Sequence, residues 1–449
     1  MVKKTQNDSP ATAWYVASFE SFAKSLNGES ASFAHDLRKS AIAEFEKLGF
    51  PTTRDEEWKY TDVSPIAKLK FTPVVSHKVN GVTAKDIEPF TLDNLSCHRV
   101  VFVNGHFSKE LSQIGSLPAG VRICSLAEAV RNNDEQVKKH LARHVEAGAN
   151  AFIALGTAFL YDGLYMAVPK NIVLDLPVHL VFLSSGLETE FAVFPRNLIV
   201  VDDNSQCAII ESHVSLKNNV YFTNAIAEVV LGSNAIVEYD KLQLESERAF
   251  HISNLSVSQD RSSSFTSNAI SLGGSLVRNN VLVVLGGEGA EATLNGLYLG
   301  TGKQHIDNHT TIDHARPHCP SHELYKGILS GKSKGVFNGK IKVRQEAQKT
   351  DAKQTNKNLI LSDEASVDTK PQLEIFANDV KCTHGATIGQ LDEEAIFYLR
   401  SRGVGIENAR DMLIYAFASD VIDRIKVEPL RELLHEMIHD RLEKGRQGS

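Results

Sequence analysis

The chain has 449 residues, too many for one ordinary core, and its 42% hydrophobic and 23% charged content is that of a folded globular protein. A formal net charge of -7 excludes a bulk electrostatic case for nucleic acid or an acidic membrane surface. The five cysteines (Cys97, Cys124, Cys207, Cys319, Cys382) are odd in number and scattered, as free thiols are in a reducing compartment. MVKKTQNDSP runs into no signal-type apolar core and there is no run of about 18 apolar residues, so a cytoplasmic protein without a membrane span is expected.

Residues 11–50 carry apolar side chains at helical spacing: Trp14, Ala17, Phe19, Phe22 and Leu26, then Phe33, Leu37, Ile42, Phe45 and Leu48. Gly49 and Pro51 end that pattern. RDEEWKYTD, 54–62, reads as packing of Trp58 and Tyr60 with solvated charges around them. Residues 98–150 mix a strand signal, VVFVNG, with helical stretches such as SLAEAVRNN. Residues 1–155 are expected to form a mostly helical N-terminal domain.

From about residue 160 the texture changes to β-branched, alternating runs such as NIVLDLPVHLVFL and NLIVVDDNSQCAIIESHV, with turns of Gly, Asn, Asp and Ser. A weak repeat runs through them. A small residue is followed two places on by an apolar one at Ala208/Ile210, Ala235/Val237, Ser263/Phe265, Ala290/Ala292, Gly335/Phe337 and Ala365/Val367. The small residues are 27, 28, 27, 45 and 30 apart, and the 45-residue gap is read as two shorter turns of chain. Small inward residues at a period of roughly 25–30 suit a solenoid whose turns bury their faces on one another. A β-helix over 156–390 is therefore expected, with a β-sandwich as the alternative on pattern alone.

Residues 391–449 return to helical spacing. Asp392 is placed as an N-cap with Glu393 and Glu394 in the first turn and Gly403 just past the end. The next helix carries Ala409, Leu413, Ala416, Phe417, Val421 and Ile425, and the last carries Leu430, Leu433, Leu434, Met437, Ile438 and Leu442. Three helices at the end of a solenoid can cap it, dock a partner, or both.

Three stretches invite a chemical reading. Gly327, Gly331, Lys332 and Ser333 resemble a phosphate loop, but the first glycine is one residue too late and GVFNGKIKV continues as a strand where a helix N-terminus is needed. A glycine-rich solenoid turn with exposed lysines is expected instead. His305, His309, His314, His318, Cys319 and His322 are tempting metal ligands, yet their spacing fits neither a zinc finger nor a helical H-E-x-x-H, and hydrogen bonds to turns and asparagines are the plainer reading. Cys382 and His384, one residue apart, face one side of a strand about 7 Å apart at Cα. Two ligands do not close a metal site, so any further ligands come from elsewhere, including another chain; a strand-end thiol beside a satisfied histidine is the alternative.

DEEWKYTD, IDNHTTIDHARPHCPSHELYKGILSGKSKGVFNGKI and DVKCTHGATIGQLDEEAIFYLRSRG together resemble the SufB/SufD family of iron–sulfur cluster assembly scaffolds. The likeness is dense from about 295 to 425 and sparser before that. Where SufB sequences have an E-H-E-A-T-type run, this chain has Cys382-Thr383-His384-Gly385-Ala386-Thr387, which favours the SufD branch. The resemblance implies a right-handed parallel β-helix with helical N- and C-terminal parts, and a non-catalytic scaffold subunit of an ATP-dependent complex. It implies pairing with SufB through the β-helices, with a transient cluster at the interface to which His384 contributes, and with a less secure role for Cys382. It also implies docking of the ATPase SufC on Phe397, Tyr398, Leu399, Arg400, Arg402 and Gly403. Reduced flavin is connected with the whole complex, and no residue here places it. A SufB-like homodimeric scaffold and a β-helix carbohydrate-active enzyme are the alternatives.

Overall fold

The computed structural model describes residues 10–26, 33–75, 81–92 and 94–447, with side chains to Leu442. The polar residues 1–9, and residues 27–32 inside the first helical pattern, lie outside the described residues.

The fold is a parallel β-solenoid with helices at both ends of the chain. Between Ala158 and Glu393 the described residues contain strands and no helix. From Arg196–Val201 onward, successive strands go alternately to an 11-stranded and a 10-stranded sheet. Gln206 pairs with Ile236, Ile236 with Ser264, Ser264 with Glu291, Ala292 with Ser321, Pro320 with Asp351 and Asp351 with Lys381. The coils are thus 30, 28, 27, 29, 31 and 30 residues long.

The repeat arises at a corner. Asn204, Asn234, Ser262, Gly289, His318 and Lys349 all take left-handed backbone, with φ between 55° and 70°. Each is followed by a small, fully buried residue: Ser205, Ala235, Ser263, Ala290, Cys319 and Thr350. Left-handed φ reverses the chain sharply and favours Asn or Gly. Asn234 donates to Asn204 at 2.8 Å and Asn204 to Asn171 at 2.9 Å, which ties successive corners together.

The repeat expected from the sequence is partly out of place. Ala235, Ser263 and Ala290 are true corner residues, but the equivalent of Ala208 is Ser205, since Ala208 pairs with Glu238. Gly335 and Val367 belong to the opposite sheet. The 45-residue gap is therefore about one and a half coils rather than two short ones. GKSKG is the corner between Pro320–Leu329 and Lys334–Val343. Gly331, at φ +67°, stacks on Gly302, where an added Cβ would meet the Gly302 nitrogen at 3.0 Å. Lys332 lies exposed and paired with Glu364 at 2.7 Å.

The helices cover the outer faces. Pro10–Ser25, Phe33–Leu48 and Ala151–Ala158 bury Tyr15, Phe22, Phe45 and Phe152 against Phe222, Phe250, Ile252 and Leu276 of one sheet. Ile406–Ile422 and Glu428–Gln447 bury Ile414, Ala418, Val421, Leu430 and Leu434 against Leu242, Ile270, Leu297 and Leu324 of the other. The stripe of the first of these lies at 414, 418, 421 and 422, with Ala416 exposed, so the expected helix is present but its inner face is rotated. Lys326 fixes it, donating to the Phe417 carbonyl at 3.0 Å and pairing with Asp420 at 2.7 Å.

The DEEW segment packs Trp58 with exposed charges around it, as expected, and in addition it forms a clasp. Trp58 is buried, and the Arg278 guanidinium lies 3.7 Å from its ring centroid. Arg278 also donates to Glu57 O at 2.7 Å and to Asp307 at 3.0 Å. Asp307, fully buried, accepts from Thr61 at 2.5 Å and pairs with His309 at 3.0 Å. Paired cations pull the Asp307 carboxyl below its usual range despite its burial, and His309 is raised.

Interior side chains are close-packed across the coil-to-coil spacing of about 4.8 Å. A Cβ on Gly296 would lie 2.2 Å from the buried Tyr325 ring. Gly296→Ala is expected to cost at least about 2 kcal/mol in denaturant unfolding, and an unchanged midpoint would contradict the stacking. Glu323 lies in the same interior, accepting from Gln354 at 2.7 Å, and burial pushes its pKa up to about 7. A carboxyl raised in the folded state holds a proton that the unfolded chain releases, so its stabilising effect is lost as pH rises through about 7. Glu323→Gln is therefore expected to change stability little at pH 5 and to add on the order of 1–3 kcal/mol at pH 8. Equal effects at the two pH values would refute this.

Candidate functional site at the open end of the solenoid

The last two strands, Ser366–Ile375 and Lys381–Gly389, each pair on one side only, with Lys334–Val343 and Asp351–Ile360. The C-terminal helices lie on the flank and leave this end uncovered. Ile375, Phe376 and Ile388 are consequently 40%, 61% and 52% exposed.

Cys382 and His384 stand on the final strand. Cys382 ends the column Cys207, Val237, Phe265, Ala292, Ser321 and Ala352, and His384 ends the column Ile209, Tyr239, Ser267, Leu294, Glu323 and Gln354. Every earlier member of both columns is buried. These two positions are therefore core positions that lack a following coil. Cys382 is half-buried against a small cluster containing Ile341, Val343, Ala347 and Ala352. That burial raises its thiol pKa, so it meets neutral pH as a thiol and a weak ligand. His384 is exposed and offers an imidazole toward whatever covers the end.

The helix Glu393–Ser401 begins immediately after the edge. Asp392 caps it as expected, accepting from the Glu394 N–H at 2.9 Å and the Ala395 N–H at 3.3 Å. It buries Ile396 and exposes Phe397 (73%) and Tyr398 (58%). Leu399 is half-buried, Arg400 is exposed, Arg402 lies 5.2 Å from the Tyr398 ring, and Gly403 ends the helix at φ +87°. Ile406 and Met412 on the next helix are 45% and 51% exposed.

The histidines of 305–322 do not converge. His305 bonds Thr61, His309 joins Asp307, His314 bonds Ser321, His318 forms a corner and His322 is exposed. A buried trio of His213, Glu245 and His251, which no sequence spacing announced, does converge within 4.8 Å inside the solenoid. All five cysteines are free. Among the described residues no helix is long and apolar enough to cross a membrane.

Residues 182–417 match the SufBD core domain of SUF system FeS cluster assembly, and residues 10–180 match the SufBD protein N-terminal region. An iron–sulfur cluster assembly SufBD family protein of Synechocystis sp. is 35% identical over 421 residues, 92% of each chain. The iron–sulfur cluster assembly protein SufD of Escherichia coli is 32% identical over 401 residues, covering 89% of this chain and 91% of the other. That of Bacillus subtilis is 27% identical over 421 residues, covering 90% and 92%. The chain belongs to the SufBD family of iron–sulfur cluster assembly proteins.

Proposed function

We propose that the chain is a SufD-type, non-catalytic scaffold subunit that completes its cluster-assembly site only when a SufB-type partner adds to the open end of the solenoid. The observation that carries this reading is that end itself: two singly paired strands, exposed apolar side chains, and His384 at a position that is core in every preceding coil. A partner β-solenoid placed edge to edge satisfies the free N–H and C=O groups and covers Phe376 and Ile388. His384 then lies in the joint and supplies a nitrogen ligand to the nascent cluster, which is cargo shared with thiolates of the partner. Cys382 has the secondary place, because its raised thiol must lose a proton before it can ligate iron.

The exposed Phe397 and Tyr398, with Leu399, Arg400, Arg402 and Gly403, form the docking surface for the SufC-type ATPase. Aromatic side chains beside arginine are the usual energetic centre of an interface. Nucleotide hydrolysis on that subunit would act here as a population shift between closed and opened joints.

Reconstitution with both partners tests the ligand role. His384→Ala is expected to lower cluster formation at least tenfold, while size and composition of the complex stay unchanged; undiminished cluster formation would sink the assignment. Cys382→Ser is expected to lose no more than about threefold. Phe397→Ala and Tyr398→Ala are each expected to weaken binding of the ATPase subunit by about 10–100-fold in calorimetry, without affecting SufB pairing. Intact ATPase affinity in the double variant would move the docking surface elsewhere.

A further inference from the structure

The interior of the solenoid holds a second group of ligand-type side chains, remote in register from the open end. His213 comes from one sheet, His251 from the other, and Glu245 from the corner that joins Ile236–Leu244 to Phe250–Gln259. All three are buried, at 1%, 0% and 5% exposure. One donor atom from each lies within 4.8 Å of the other two. The rings of His213 and His251 meet edge to face at 4.7 Å.

The surroundings orient these donors. His213 Nε2 is held by Glu211 at 2.6 Å, which leaves Nδ1 as its free ligand atom. Glu211 is itself fixed by Tyr239 and by the Asn197 side-chain amide. A carboxylate on the far nitrogen of a histidine is the support that metal-bound imidazoles regularly have. Glu245 accepts from Thr223 at 2.6 Å and from Gln243 at 3.1 Å, it pairs with His251 Nδ1 at 2.6 Å, and the buried Tyr221 hydroxyl also faces it. Lys241 donates to His251 Nε2 at 3.0 Å, so the ring presents Nδ1 to Glu245. A cavity of about 20 Å³, large enough for one water, is lined by His213, Thr223 and Glu245 and by the hairpin turn Asn104–Gly105.

We infer that His213, His251 and Glu245 form a binding site for one first-row divalent cation inside the solenoid, with the adjacent one-water cavity supplying the fourth position. Two imidazoles and one carboxylate suit zinc or ferrous iron, and they disfavour magnesium, which prefers oxygen ligands and retains its waters. The cation replaces the proton on His251 Nδ1, which is released. Lys241 passes its own proton to Nε2 and becomes a neutral acceptor. The Nδ1–Glu245 separation, now 2.6 Å, opens by about 0.8 Å to admit two bonds of roughly 2.1 Å at a tetrahedral angle. Because binding releases a proton, affinity rises with pH. The site is independent of the role proposed for His384.

The test uses the full chain stripped of metal, then equilibrated with Zn²⁺, anaerobic Fe²⁺ or Mg²⁺ and subjected to elemental analysis after dialysis. One equivalent of zinc or iron, and no magnesium, is expected. His251→Gln and Glu245→Gln should each lower the affinity at least 100-fold, while His384→Ala with Cys382→Ser leaves it unchanged. Binding that survives both interior substitutions, or that vanishes with the His384 and Cys382 changes, overturns the site. So does the absence of any stoichiometric zinc or iron. Should the interior variants fail to fold, X-ray absorption of the zinc-loaded wild-type chain decides the matter. A shell of nitrogen and oxygen with two imidazoles upholds the site, and sulfur scattering refutes it.

Discussion

Everything in this molecule depends on the in-register hydrogen bonding of one coil to the next. A coil of 27–31 residues has no core of its own. Its side chains are buried only because a coil lies on each side, and its backbone groups are satisfied only by the same neighbours. The two ends of the stack are therefore the structural problem the sequence must solve, and it solves them differently. At the N-terminal end, antiparallel strands close both sheets: His106–Gln113 pairs with His98–Val103, and Arg122–Ser125 pairs with Leu164–Val168. At the C-terminal end the last two strands are left singly paired and the helices pass along the flank. The uncovered end is also where Cys382 and His384 stand, so the position of the candidate site follows from the architecture.

The helical lobes serve the same constraint. Each covers the outer face of one sheet, where alternation would otherwise present a second apolar surface to water. The clasp around Asp307 shows how tightly the N-terminal lobe is tied. Thr61, Arg278 and His309 converge on one fully buried carboxylate, and Glu57 and Trp58 hold Arg278 from the other side. A buried ion cluster of this kind adds little net stability, because desolvation offsets most of the attraction. What it specifies is registry, since a shift of one coil would strand the charges.

The parts of this design that local chemistry dictates were legible in the sequence. Alternation and turn residues gave the solenoid, Asp392 gave the start of a helix, and the missing residue between Gly327 and Gly331 removed the phosphate loop. Features set by stacking were not legible. A corner formed by Ser205 or Thr350 resembles any polar turn until its neighbours are known, which is why the repeat in the sequence points to Ala208 in place of Ser205. The two sheets alternate along the chain, so a small residue such as Gly335 carries no mark of which sheet it joins. Spacing marked Cys382 and His384 as a same-face pair, but only the resemblance to a family gave His384 a ligand role, because one imidazole beside one thiol does not close a metal site. The trio of His213, Glu245 and His251 was missed for the opposite reason. Its members come from different coils and faces, and only folding makes them neighbours.

An open edge bearing Phe376 and Ile388 would ordinarily be an aggregation hazard. Here it carries Lys370 and Pro371 on one strand and Lys381 on the other, and the final strand is unusually poor in apolar residues over Cys382–Thr387. Lysine and proline oppose indiscriminate strand addition, whereas a partner that matches the charges and register can still add. The columns that end at Cys382 and His384 make the same point from inside. Each is a core column interrupted by one coil, so a matching solenoid would extend it and turn an exposed histidine into an interior one. Ligand geometry and exclusion of water would then arise together, on association. On the proposed reading, a subunit with half a site and half a core would gain both from the same contact, which would give a scaffold of this shape a reason to leave its last coil unfinished.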